Sequence, residues 1–107
     1  MPRVSAYAMR KFSEAGPLPQ VLNLGPSFAV MLVCLQDHQE LRAPEGDRAE
    51  TVFTVLAGAG FVLEGDVRHE VEAGDVVHVM PGERKGLIAA GGELSIIGVR
   101  HVAQGGR

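Results

Sequence analysis

The sequence predicts an all-β fold, a sandwich or barrel, on three observations. The stretch 50–85 is a series of short apolar runs cut by Gly58 and Gly60, by Gly65 with Asp66, by Gly74 with Asp75, and by Pro81 with Gly82. These interruptions recur roughly every 7–10 residues, close to the spacing of an antiparallel sandwich or barrel. The run 28–35, FAVMLVCL, is apolar at every position, as in a strand covered on both faces. Between the runs 61–63 and 67–71, Glu64, Gly65 and Asp66 form a hairpin signal, because glycine supplies the positive φ that a tight turn needs.

Taken in order, residues 5–15 read either as a short helix or as an extended arm. The helix would be capped by Ser5, would carry Met9 and Phe12 on one face, and would stop at Gly16. Pro17 and Pro19 end the segment in either case. Residues 21–24 form a short strand closed by Gly25 and Pro26, and 27–36 form the strongest strand. Asp37, His38, Gln39 and Glu40 make a turn, and Leu41 returns to strand character. Residues 42–48 are polar and read as a loop outside the packed core. Strands follow at 51–56, 61–63, 67–71, 76–80, 86–90 and 94–99, with a corner at 58–60 and a last turn at Gly91 and Gly92. The tail, Gln104 to Arg107, has the composition of a frayed end.

A chain of 107 residues makes one domain with a real core. With 46% hydrophobic and 21% charged residues the composition is that of a globular protein. The net charge of −3, one Tyr and no Trp exclude the basic, aromatic surface of a nucleic-acid binder. No run approaches the ~20 apolar residues of a membrane span, and the first residues lack the apolar core of an export signal. The expectation is a cytoplasmic protein with no membrane partner. Cys34 has no second cysteine to pair with and sits inside the apolar run, so it reads as a buried small residue.

Two-sided apolar runs at 28–35, 51–56 and 94–99 leave an outer face to be covered. A homodimer is the expected cover, and the N-terminal arm is the alternative.

The segment ETVFTVLAGAG, followed about ten residues later by EAGDVVHVMPGERK, resembles the two motifs of small single-domain cupins. The resemblance runs over roughly 25–100 and implies an antiparallel jelly-roll β-barrel. On that basis 1–24 would be an N-terminal arm and first strand, 25–100 the barrel, and 101–107 the tail. Metal-binding cupins carry a His-x-His pair before an acidic residue and a further His after Pro-Gly. With Glu50 set on the acidic residue, Pro44 and Gly46 stand at the two histidines, give or take one residue, and Lys85 stands at the last. A first-row divalent metal needs three or four converging N, O or S donors. Proline and glycine offer none, and an ammonium repels a cation, so no metal and no other cofactor is expected.

The cavity candidates are Glu50, His78 and Lys85. His78 shares strand parity with Val76 and Met80 and faces either the cavity or a partner. If Glu50 and Lys85 approach each other they would form an ion pair where the metal would lie, each keeping the other charged. The alternative has Lys85 extending to solvent. Two functions are compatible with these residues. One is a metal-free barrel that binds a small molecule or serves a regulatory role. The other is a small cupin enzyme, an isomerase, epimerase or dioxygenase-like protein, with a non-standard centre using Glu50, His78 and Lys85, or a metal held by Glu50 with His38 or His78.

Overall fold

A computed structural model describes residues 3–102. The strands are β1 (Leu18–Leu24), β2 (Phe28–Leu35), β3 (Glu40–Arg42), β4 (Thr51–Glu64), β5 (Val67–Glu72), β6 (Val76–Val79) and β7 (Lys85–His101). All pairings are antiparallel, in the order β1-β2-β7-β4-β5, with β3 added to β7 and β6 added to β4. The only helical turn among the described residues is a 3₁₀ turn at Tyr7–Met9, so the N-terminal segment is an arm. No helix among the described residues is long and apolar enough to cross a membrane. The expected tail at 104–107 lies outside the described residues.

Two long strands generate the architecture. β4 and β7 pair along their whole length, from Thr51 opposite Arg100 to Glu64 opposite Lys85. Sequence reading breaks each into two strands, at the 58–60 corner and at Gly91 and Gly92. The structure instead keeps both continuous and bends them. Gly58 faces Leu94 and Gly60 faces Ala89, so residues 90–93 of β7 stand opposite Ala59 alone. This excess is a bulge, which bends a strand without ending it. Gly91 and Gly92 accommodate it with φ of 82° and 126°, a region closed to most L residues.

The bend divides the sheet into two facing layers. One holds β1, β2, the end of β7, the start of β4 and β6. The other holds β3, the start of β7, the end of β4 and β5. The core between them draws Val33, Leu35, Phe53, Val55, Leu94 and Ile96 from the first layer. Val62, Val71, Leu87 and Ala89 come from the second.

On β2 the inward positions are Met31, Val33 and Leu35. Leu32 and Cys34 point the other way and are nonetheless fully buried within the single chain. Gln20, opposite Leu32 in the ladder, donates to the Met9 carbonyl at 3.1 Å, and Gln39 donates to the Ser13 carbonyl at 2.7 Å. These bonds lay the N-terminal arm over that face. Cys34 has the buried setting expected of it.

Gly58 and Gly60 are the tight points of the bend; at Gly58 a Cβ would lie 1.8 Å from the Glu93 carbonyl oxygen. A Cβ at Gly60 would lie 2.0 Å from the Ile88 carbonyl oxygen, a backbone atom that cannot rotate away. Gly46, by contrast, has open space around it. Gly60→Ala should lose about 2–4 kcal/mol of stability in urea melts. Gly46→Ala should stay within about 0.5 kcal/mol. Equal losses would show that the close approach of β4 to β7 is not a constraint.

Candidate functional site

Strand parity decides which side chains reach the interior, because neighbouring residues of a strand face opposite ways. On β4, Thr51 and Phe53 face in; on β7, Leu87 at one end and Gly98 and Arg100 at the other. Together with Met31, Val33, Leu41 and Pro19 they line a half-open cavity of ≈ 230 Å³. Gly98, paired with Phe53, leaves the space its ring occupies: a Cβ there would meet Phe53 at 3.1 Å.

One end of this mostly apolar space is charged. Lys85 is 7% exposed, which excludes the extended, solvent-reaching alternative. Its Nζ donates to Asp47 Oδ1 at 3.1 Å, to the Asp47 carbonyl at 3.0 Å and to the Ala49 carbonyl at 3.1 Å. An ammonium has three donors, and all three are used. Arg100 Nη2 donates to the same Asp47 Oδ1 at 2.7 Å. Burial pushes the Asp47 carboxyl up, but the Arg100 guanidinium and the Lys85 ammonium outweigh it and hold the group below its ordinary range.

The loop that carries Asp47 is pinned on both sides. Asp47 N donates to the Pro44 carbonyl at 2.8 Å, and Arg48 and Gly82 exchange backbone and side-chain bonds at 2.8 and 2.9 Å. Ala43 N donates to the Lys85 carbonyl at 3.0 Å. The polar stretch 42–48 therefore does not lie clear of the interior, as its composition predicts; Asp47 reaches into the cavity wall.

Glu50 and His78 do not line the cavity. Thr51 is the inward residue, buried at 3% exposure, so its neighbour Glu50 faces out. Glu50 Oε2 meets His78 Nε2 at 2.5 Å on the outer surface, both side chains about half exposed. The expected ion pair between Glu50 and Lys85 is thus replaced by two others: Glu50 with His78 outside, and Lys85 with Asp47 inside. A second pair, Glu64 with His69 at 3.0 Å, lies near the first; by register it shares the face of Val62 and Val71, but it does not line the cavity. His69, and then the Met80 N–H, hold the Glu64 carboxyl below its ordinary range. His38 sits in the turn at φ 71°, its side chain exposed beside Asp37.

Asp47 and Arg100 are the site residues that sequence reasoning missed. Arg100 was accessible by counting in twos from Leu94 and Ile96, both fully buried. Asp47 had no such signal, because a loop has no period.

The metal that the resemblance brings to mind does not fit this interior. The cavity wall offers one carboxylate, Asp47, already bonded to two cations. Thr51 Oγ1 donates to the Ala49 carbonyl. Among the described residues no three His, Cys, Asp or Glu side chains are grouped to hold an ion.

The arrangement defines a class: a small antiparallel β-sheet folded into two facing layers, apolar inside, with a charge cluster at one end of its cavity. No protein-family model and no curated protein matches the sequence. Solved structures do match. The TT1209 protein from Thermus thermophilus superimposes with a TM-score of 0.86 at 13% identity, over 94% of this chain and 97% of that one. An uncharacterized conserved protein with a double-stranded β-helix domain from Klebsiella pneumoniae gives 0.85 at 18% identity, over 99% and 94%. An RmlC-like cupin from Desulfovibrio desulfuricans gives 0.82 at 16% identity, over 94% and 96%. The chain has the fold of a small single-domain cupin.

Asp47 is the acid shared by buried Lys85 and partly buried Arg100. Removing one partner from a buried pair is costly, since the other charge stays behind. Asp47→Asn should lose about 2–4 kcal/mol at neutral pH, measured by denaturant melts. The carboxyl has a folded-state pKa below its unfolded value of about 3.9. Its contribution is therefore complete above that value and disappears as pH falls through the folded one. Wild-type Tm should drop in this acidic window, and the Asp47→Asn curve should be shallower there. Parallel curves would show that Asp47 contributes nothing.

Proposed function

We propose that this protein is a metal-free small-molecule-binding barrel, with the ligand held in the cavity and no chemistry done to it. The observation that carries the reading is the hydrogen-bonded cluster of Asp47, Lys85 and Arg100 at the end of a mostly apolar cavity. Cavities of this kind, apolar with a few convergent polar groups, are the usual form of a ligand site. Catalysis asks for an acid or base poised to exchange a proton. The Lys85 ammonium has its three donors engaged, and the Asp47 carboxyl is held in its charged form by two cations. The histidines that would suit an isomerase, epimerase or dioxygenase-like centre, His69 and His78, are paired with glutamates outside the cavity.

A second copy of the chain would add most readily at the free edge of β1. Val21 and Leu24 are each more than half exposed there, as is Phe28 at the start of the neighbouring β2. Such an edge is a template for pairing. Sedimentation velocity should give a dimer that Leu24→Glu converts to a monomer; a monomeric wild type would refute the arrangement.

A thermal-shift screen of small organic molecules tests the binding function. At a hundredfold excess over Kd a ligand contributes about 2.7 kcal/mol, which raises Tm by roughly 10 °C or more in a domain of this size. Met31→Trp, which fills the cavity from β2, should stay folded and lose the shift. A shift that survives Met31→Trp, or turnover of a bound molecule, would contradict the proposal.

A further inference from the structure

The charges on the cavity wall do not balance. Arg42, Lys85 and Arg100 line it against one carboxylate, Asp47. Arg42 is half removed from this sum by its surface pair with Glu40 at 3.2 Å. Lys85 and Arg100 then share Asp47 and leave one positive charge uncompensated. Both lie largely out of water, with side chains 5% and 33% exposed. A cation in that position is costly until an anion joins it.

The hydrogen-bond inventory locates the deficit on Arg100. Lys85 has its three acceptors. Arg100 uses Nη2 on Asp47; its Nε also lacks an acceptor among the described residues but is shut off from solvent, so a ligand in the cavity would meet the terminal nitrogens of the guanidinium. A guanidinium offers parallel N–H groups in a fixed fork, which is the geometry that a carboxylate takes with both oxygens.

The rest of the wall sets the other half of the ligand. Met31, Val33, Leu41, Phe53 and Leu87 present only carbon and sulfur to the space. A cavity of about 150 Å³ holds a benzene ring. In proportion, ≈ 230 Å³ holds about nine non-hydrogen atoms.

We propose that the cavity selects a small monocarboxylate with a compact apolar body, its carboxylate on Arg100 and its ring or chain among Phe53, Leu41 and Leu87. The proposal rests on the ligand-binding function above and adds the chemical class of the ligand.

Benzoate and hexanoate are suitable probes, with benzamide and hexanamide as neutral partners of the same shape. Calorimetric titration of the full chain should give a Kd for at least one acid that is tenfold or more below that of its amide. Methyl resonances of Met31, Leu41 and Leu87 should move on its addition. Arg100→Gln should weaken the acid at least tenfold and leave the amide unchanged, while Arg100→Lys should recover part of the loss. If Arg100→Gln unfolds, the wild-type ratio of acid to amide decides alone. Acid and amide binding equally, or an acid shifting methyls elsewhere, would overturn the selection for a carboxylate and leave a ligand-binding barrel standing. No binding by any of the four probes would count against both.

Discussion

A lysine ammonium taken out of water needs acceptors for all its protons, and the neighbourhood of Lys85 is arranged around that need. Three oxygens, two of them main-chain carbonyls of the 43–50 loop, close on Nζ within 3.1 Å. Because carbonyls take part, the bond set fixes the loop's path as well as a charge. The Asp47 side chain then turns inward and brings Arg100 to the same oxygen. One buried charge at the first residue of β7 thereby ties the start of that strand to its far end and to the loop before β4. This accounts for the path of the 43–50 loop, which has no ladder of its own.

The geometry that makes this possible comes from β4 and β7. Residues at opposite ends of a straight strand of 14 or 17 residues would be far apart. The bulge at 90–93 and the glycines facing it fold both strands back. Lys85 and Arg100 consequently meet over one carboxylate. Cavity and cluster are two results of the same bend: the layers it creates line the space, and the strand ends it brings together supply the charge.

Much of this was legible in the sequence. Period-two reading identifies β2, and Gly65 marks the hairpin between β4 and β5 through its φ of 57°. Lys85 emerges as a cavity residue because a motif position places it there. Three features were not legible. Gly91 and Gly92 have the composition of a turn, and composition alone does not separate a turn from a bulge within a continuous strand. Glu50 was set one residue from the inward position, and in a strand one residue exchanges inside for outside. Asp47 belongs to a loop, whose path follows from contacts distant in sequence, here with Lys85 and Gly82. The site's acid was therefore sought beside the start of β4 and lies three residues earlier, in the loop.

The central claim is that Asp47, Lys85 and Arg100 occupy the interior in the manner of a salt-bridged cluster, leaving no donors for a metal. Elemental analysis tests it directly. Untagged protein, never exposed to chelator, is incubated with iron, manganese, nickel and zinc, desalted and assayed. The account predicts far less than one ion of any of them per chain, and unchanged thermal stability. Near-stoichiometric metal with raised stability, lost again in Asp47→Asn, would show that the cluster opens to become a coordination site, and would contradict it.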